Sequence, residues 1–206
     1  MMTPRDSSLP VILLLAAGEG SRFGGAKQLA DIAGEPMVRR VARNMLQLDL
    51  PVIVVTGAYA EQVEAVLHDL PLRMVRCEDW ASGMGSSLAA GTREVVRSFP
   101  QASSVLICLA DQPMLGKASI ASMLQRHRAA PDRLLVTRHG DIQGPPALFP
   151  RDCFDALSAL SGTRGARSVL ERQSSRIDTL AMDDGMDVDT PQDLQQVQAL
   201  LAKRPT

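Results

Sequence analysis

The residues best suited to chemistry stand in one run, Leu15-Ala16-Ala17-Gly18-Glu19-Gly20-Ser21-Arg22-Phe23-Gly24-Gly25-Ala26-Lys27, which leaves an apolar stretch and carries four glycines, one Arg and one Lys. Glycines permit positive φ and close backbone approach, so several N–H groups can converge on phosphate oxygens. Arg22 and Lys27 add the charge a polyphosphate needs. Without a ligand, the same run is a tight strand-to-helix turn with two solvated cations. Two familiar phosphate loops do not match. A P-loop requires Gly-Lys followed by Ser or Thr, whereas Lys27 stands between Ala26 and Gln28. A dinucleotide fold wants an acid closing its second strand, and that run ends Val55-Thr56-Gly57.

Acids recur at two places. Asp111 follows the apolar run Val105–Ala110 and precedes Gln112-Pro113, and Asp187-Val188-Asp189-Thr190-Pro191 stands just before a helix start. Mg²⁺ prefers phosphate and carboxylate oxygens, typically one or two carboxylates with water. Asp111, Asp189 and, beside it, Asp187 are the candidate metal ligands. The plainer alternative is that the later acids merely favour a helix dipole. Asp183 and Asp184 read as solvated loop. In Glu78-Asp79-Trp80-Ala81-Ser82-Gly83-Met84-Gly85-Ser86-Ser87, small hydroxyls and glycines at a helix start offer hydrogen bonds to a base, or else Ser82 or Ser86 simply caps the helix. His68 and His127 read as partly buried structural residues on helix faces, and His139 as a loop residue.

The elements that must position these residues alternate. Strands are expected at Val11–Ala16, Pro51–Thr56, Arg73–Arg76, Ser104–Ala110, Leu134–Thr137 and Arg176–Met182. The runs Val11–Ala16 and Val105–Ala110 are apolar throughout, as strands covered on both faces must be. Helical spacing appears in Met37, Val41, Met45 and Leu48 behind Pro36; in Val63, Val66, Leu67 and Leu70; in Leu88, Val95, Val96 and Phe99; in Ile120, Met123, Leu124 and His127; and briefly in Phe154, Leu157 and Leu160. Thr190, Pro191 and Asp193 form a capping-box start for the last helix. This alternation predicts an α/β three-layer sandwich with a mostly parallel central sheet, whose ligands sit beyond the carboxyl ends of the strands.

Composition narrows the function. With 22 Lys and Arg against 23 Asp and Glu, the net charge of −1 disfavours a nucleic-acid partner. No apolar run approaches the ~20 residues that span a bilayer. Residues 1–9 lack the centre of a signal peptide and are expected to be a flexible tail before a single domain at 10–203. Cys77, Cys108 and Cys153 show no metal spacing and suit free thiols in a reducing cytoplasm.

The glycine-rich run matches Leu-Ala-Ala-Gly-x-x-x-Arg-Phe-Gly-x-x-Lys, and through it the chain resembles the MobA-like nucleotidyltransferases. It looks most like their molybdenum cofactor cytidylyltransferase branch, which carries Ala at Ala17 where the guanylyltransferases usually carry Gly. The resemblance extends from Val11 to Leu201. It includes an Asp-x-Pro motif at Asp111, a Trp-x-x-Gly-Met-x-x-Ser pattern at Trp80, Gly83, Met84 and Ser87, and a closing motif over Asp187–Leu194. It implies a Rossmann-like nucleotidyltransferase fold and transfer of CMP from CTP to the terminal phosphate of molybdopterin or the molybdenum cofactor, releasing pyrophosphate. Under that resemblance Arg22, Lys27 and Asp111 are catalytic. Leu15, Ala16, Ala17, Gly18, Gly20, Gly83, Ser86 and Ser87 contact the nucleotide, and Asp111 and Asp189 hold Mg²⁺ with Asp187 nearby.

The acceptor side departs from the pattern. The branch usually shows Gly-His-Pro-x-x-Phe where this chain has Gly144-Pro145-Pro146-Ala147-Leu148-Phe149, so Gly144 and Pro146 remain while Pro145 replaces His. Arg164 or Arg167, in a Gly-x-x-Gly-x-Arg segment, would contact acceptor phosphate. The implied partners are CTP, the pterin cofactor and, transiently, a molybdenum hydroxylase. The rival readings are another acceptor (a methylerythritol phosphate or a sugar phosphate), a non-catalytic cofactor chaperone, and a nicotinamide oxidoreductase.

Overall fold

The computed structural model describes residues 9–140 and 142–203. The first strand, β1 (Val11–Ala16), is buried at every position. Its side chains alternate between two cores, as a period of two requires. Ile12, Leu14 and Ala16 enter one, with Val38, Val41 and Met45 of α1 (Met37–Leu46), Val63 and Leu67 of α2 (Ala60–Leu67), and Ile120, Met123 and Leu124 of α4 (Lys117–Ala129, the third helix, α3, being Met84–Ser98). Val11, Leu13 and Leu15 enter the other, with Leu88 and Val95 of α3, Phe154 and Leu157 of α5 (Phe154–Ser158), and Val169 of α6 (Arg167–Arg172).

A two-stranded ladder of β2 (Asp31–Ile32) and β3 (Glu35–Pro36) precedes α1. The large sheet adds β4 (Val52–Thr56), β5 (Arg73–Arg76), β6 (Ser104–Leu109), β7 (Leu134–His139), β8 (Ile142–Pro150) and β9 (Ile177–Ala181), in the order β5-β4-β1-β6-β8-β7-β9. From β1 the chain first builds towards β4 and β5 and later returns to β6 on the other side. The carboxyl ends of β1 and β6 therefore flank the crevice where open α/β sheets bind ligands. The expected three-layer arrangement and mostly parallel sheet are borne out.

Three strands were not expected: the short β2 and β3, and one in the large sheet. Residues 142–150, read as an acceptor loop, form β8, which runs antiparallel to both β6 and β7. Two prolines argue against a central strand, but the β7–β8 register jumps from Val136↔Ala147 to Thr137↔Gly144. Pro145 and Pro146 sit in that irregularity, where no ladder N–H is required of them. The helix α6 was also not expected, and the other boundaries differ from the sequence reading by one or two residues.

Three polar assignments need correction. His139, read as a loop residue, is the last residue of β7, paired with Ile142 of β8. Asp184 is not solvated loop: its Oδ2 accepts from Gly116 N–H at 3.1 Å and from Ser119 Oγ at 2.6 Å, tying the start of α4. His68 is exposed, with Nδ1 2.8 Å from the Ala65 carbonyl, because the helix face it occupies turns to solvent. His127 is buried, as expected, and burial holds its pKa down. The expected tail at residues 1–9 lies outside the described residues except for Leu9, whose carbonyl accepts from Ser103 N–H at 3.3 Å. The three cysteines are free and buried, and burial pushes the Cys108 thiol up to about 12.

The last helix, α7 (Pro191–Ala202), starts at the expected capping box: Asp193 N–H donates to Thr190 Oγ1 at 3.3 Å, and Thr190 N–H donates to Asp193 Oδ2 at 2.8 Å. Just upstream, buried Val188 plugs a third apolar cluster with Ile32, Met37, Met114 and Val197. Plug and cap together fix the backbone at Asp189. Thr190→Ala should cost about 1 kcal/mol of stability, lowering Tm by about 2–4 °C for a chain of this length, as thermal unfolding followed by circular dichroism would register.

Candidate active site

A cleft of about 460 Å³ opens where β1 and β6 end, lined by residues 15–22, Lys27, Gln28, Trp80, Ala81, Gly83, Met84, Ser87, Leu109, Ala110, Asp111, Asp187 and Asp189. Of the expected nucleotide contacts, Leu15, Ala16, Ala17, Gly18, Gly20, Arg22, Lys27, Gly83 and Ser87 line it, and Ser86 does not. Neither Ser82 nor Ser86 caps α3. Its N-cap is Gly83, at φ +118°, and a Cβ there would stand 2.7 Å from the Gly162 carbonyl oxygen.

The glycine-rich loop turns its carbonyls inward. Gly20, at φ +67°, offers its carbonyl to the N–H groups of Phe23, Gly24 and Gly25, and a Cβ on Gly20 would collide with Gly25 O. Among the described residues, no protein acceptor meets the N–H groups of Gly18, Glu19, Gly20, Ser21 or Arg22. Such a set of donors on a cleft wall is an anion-binding concavity.

Lys27 does not project freely into this space. Its Nζ donates to Asp111 Oδ2 at 2.7 Å and to Asp189 Oδ1 at 2.8 Å, while Arg22 pairs with Asp189 Oδ2 at 2.9 Å. Burial opposes the charged lysine, but the Asp111 carboxylate, with Asp189, more than offsets it and holds its pKa above the ordinary value. Asp111 takes its place from the end of β6, and Val188 N–H donates to the Asp111 carbonyl at 2.8 Å, docking the closing loop against it.

The third expected carboxylate is held differently. Gln112, 1 % exposed, donates from Nε2 to Asp187 Oδ1 at 2.9 Å, Pro145 O at 3.1 Å and Gly185 O at 3.2 Å. Asp187 keeps much of its surface open at the cleft mouth, yet its carboxyl end is desolvated. That burial and then the negative charge of Asp111, against the Gln112 hydrogen bond, push it up to about 6.

A divalent cation fits two of these side chains. Asp111 Oδ1 is buried with no hydrogen-bond partner, and Asp111 and Asp189 already converge on one positive charge. No cluster of three or more His, Cys, Asp or Glu side chains able to hold a metal occurs among the described residues. Asp111 and Asp189, the pair expected to hold the cation, are brought together here, while Asp187, expected beside them, is held by Gln112; two carboxylates would leave the remaining positions to phosphate oxygens and water.

The expected acceptor residues are not gathered into the cleft. Arg164 is exposed and pairs with both oxygens of Glu171 at 2.8 Å, and Arg167 is an exposed first residue of α6. What that segment brings to the site is backbone: Gly162 O accepts from Gly85 N–H at 2.8 Å and braces the start of α3. Gly144 and Pro146 lie in β8, where Gly144 O accepts from Thr137 Oγ1 at 3.0 Å and Pro146 is buried. Gln28 and Gln112 were overlooked in the sequence. Their neighbours Lys27 and Asp111 were the available signal, since the turn that places one side chain places the next.

Comparison with known proteins places this geometry in a family. The chain is 34 % identical over 200 residues to the nicotine blue oxidoreductase of Paenarthrobacter nicotinovorans, covering 90 % of this chain and 95 % of that protein. It is 27 % identical over 202 residues to the purine catabolism protein PucB of Bacillus subtilis, covering 92 % and 96 %. The crystal structure of Rv0371c from Mycobacterium tuberculosis superposes with a TM-score of 0.78 at 25 % identity, covering 94 % of this chain and 100 % of that one, and a second structure of Rv0371c is a complex with manganese. Among the described residues no helix is long and apolar enough to cross a membrane. Residues 12–177 match the MobA-like NTP transferase domain, and the chain belongs to that family of nucleotidyltransferases.

Proposed function

We propose that the chain moves CMP from CTP onto the terminal phosphate of molybdopterin or the molybdenum cofactor. An oxygen of the acceptor phosphate forms a bond to the α-phosphorus, the bond from that phosphorus to the bridging oxygen breaks, and pyrophosphate leaves with the electron pair. A phosphate monoester is already nucleophilic near neutrality, so the chain needs no Ser–His or Cys–His pair. Its task is alignment and charge stabilisation. The observation that carries the reading is the convergence of Lys27, Arg22, Asp111 and Asp189 beside the free N–H groups of residues 18–22.

Within that reading the loop N–H groups and Arg22 hold the triphosphate. Lys27 releases its carboxylates and follows the negative charge onto the leaving pyrophosphate. Asp111 and Asp189 would hold Mg²⁺, with Asp187 at the margin. When bound, the cation neutralises phosphate oxygens and acts as a Lewis acid. Leu15, Ala17, Leu109 and Met84 line the apolar part of the cleft on the base side, near Ser87 and Gly83. The choice of cytosine and of a pterin acceptor rests on the resemblance at Ala17 and at 144–149. Gly144 and Pro146 would wall the acceptor, and Arg164 or Arg167 would reach its phosphate only from outside the cleft, Arg164 by giving up its exposed pair with Glu171. A methylerythritol or sugar phosphate acceptor, or a chaperone role beside a molybdenum hydroxylase, is the alternative within the same site.

A second reading is an oxidoreductase, the class in the name of the 34 % identical relative; the nicotinamide cofactor is the form of it weighed from the sequence. Against it, β4 ends Val55-Thr56-Gly57 with no acid, and the α2 carboxylate that reaches Thr56 Oγ1 at 2.9 Å, Glu64, is already paired with Arg76 at 2.6 and 2.8 Å. Pyrophosphate release measured with each of the four nucleoside triphosphates, with and without molybdopterin, beside titration with NADPH, separates the readings. Turnover with CTP and molybdopterin supports the first, and NADPH oxidation without pyrophosphate supports the second.

Asp111→Asn should cut turnover by about 10²-fold or more while moving Tm by no more than a few degrees, and unchanged turnover in a folded variant would remove Asp111 from the site. Lys27→Ala should lower both CTP affinity and turnover by about tenfold or more, whereas Lys203→Ala at the end of α7 should change neither. If molybdopterin is the acceptor, Pro145→His should retain or improve its affinity and leave CTP affinity unchanged in isothermal titration. Asp187 binds its proton more tightly folded than unfolded, so its ionisation destabilises the fold. That cost is absent below its ordinary value of 3.8 and complete above about 6. Asp187→Asn should therefore raise Tm at pH 7–8 by about 2–4 °C, corresponding to about 1 kcal/mol after discounting for solvent screening, and the gain should vanish by pH 4.

A further inference from the structure

We infer that Gln28 is the positioning residue of the glycine-rich loop, holding its peptide planes so that donors rather than acceptors face a bound polyphosphate. This inference rests on the nucleotidyl-transfer reading. Gln28 is 3 % exposed in the single turn Lys27–Leu29 beneath the cleft. Its Nε2 donates to the carbonyls of Ala16 at 3.3 Å and Gly18 at 2.5 Å, the last of β1 and the first of the loop glycines.

Three neighbouring carbonyls have backbone partners. Leu15 O accepts from Ala110 N–H at 3.0 Å, Ala17 O from Ala58 N–H at 3.1 Å, and Gly20 O from the turn that follows. Ala16 and Gly18 are the two that depend on a side chain. Two facing carbonyls also determine which way the Gln28 amide points, because the reverse orientation would set oxygen against oxygen.

The consequence for an anion is direct. A peptide plane has its N–H and C=O on opposite sides, so pinning the Gly18 carbonyl inward turns the next N–H, that of Glu19, towards the cleft. A glycine peptide freed of its anchor can rotate with little steric resistance. Rotation there would present a carbonyl oxygen to phosphate, which repels it. Gln28 makes no contact in its own interest: its Oε1 is buried with no partner. A buried amide left half satisfied is a local concession of stability of the kind expected where function requires a particular backbone. The same turn sends Lys27 towards Asp111 and Asp189, so one short element sets both the loop and its lysine.

The test uses the full chain and Gln28→Met, which keeps the shape and removes the donor, with Gln28→Glu as a second variant that sets a carboxylate against the two carbonyls. Backbone hydrogen exchange by mass spectrometry and calorimetric titration with MgCTP are measured on each. Exchange over residues 17–24, read at the Phe23 and Gly24 amides that donate to Gly20 O, should accelerate about tenfold or more while that of β6 stays unchanged, and MgCTP affinity should weaken about tenfold, with KM rising more than kcat falls. Unchanged exchange over 17–24 in either folded variant overturns the inference, as does accelerated exchange with undiminished nucleotide affinity. If the native chain binds none of the four nucleoside triphosphates, the nucleotidyl-transfer reading falls. Exchange then still decides whether Gln28 anchors the loop.

Discussion

The ammonium of Lys27 between the carboxylates of Asp111 and Asp189 joins three parts of the chain that lie 84 and 162 residues apart. Each partner arrives by a different route: Lys27 on a single turn after the glycine-rich loop, Asp111 at the end of β6, and Asp189 between a buried plug and a helix cap. Two carboxylates this close repel each other, and a cation between them makes the arrangement tenable. In this structure the protein supplies that cation itself. Under the proposed function, a site organised around such a charge would suit an outside cation together with phosphates, and Lys27 would serve the fold and the chemistry with one side chain.

Everything that delivers those groups follows from burial. Because β1 is covered on both faces, its side chains alternate into two cores and its direction is rigidly set, so the loop that leaves it emerges at a defined point. The carbonyls of Leu15 to Gly18 at that exit are taken by Ala110, Ala58 and Gln28, while the N–H groups of the loop that follows keep no protein acceptor among the described residues. Gln112 does similar work on the other wall, gathering Asp187, Pro145 and Gly185 around one amide. Two buried glutamines, each beside a charged residue of the site, thus brace opposite sides of the cleft.

The antiparallel β8 is the least regular part of the sheet and the part nearest the expected acceptor side. Its bulge accommodates Pro145 and Pro146 without a missing ladder bond, and the Pro145 carbonyl reaches Gln112. The Pro145 turn of β8 and the loop carrying Asp187 are consequently linked through the same amide, so a change at either will be felt by the other.

The sequence by itself determined what depends on near neighbours in the chain. The all-apolar runs of β1 and β6 declared strands covered on both faces, the glycines and cations after β1 marked the loop that lines the cleft, and Thr190, Pro191 and Asp193 declared the helix start beside Asp189. Periodicity and capping are local properties, so they survive being read in one dimension. Tertiary structure alone decided that Lys27 would lie between two carboxylates, that Arg164 would turn to Glu171, that the segment with two prolines would enter the sheet as β8, and that Gln28 and Gln112 would be buried under the cleft. Those outcomes depend on which strand ends meet and which charges then find each other at under 3 Å. The position of a residue along the chain carries no record of that distance.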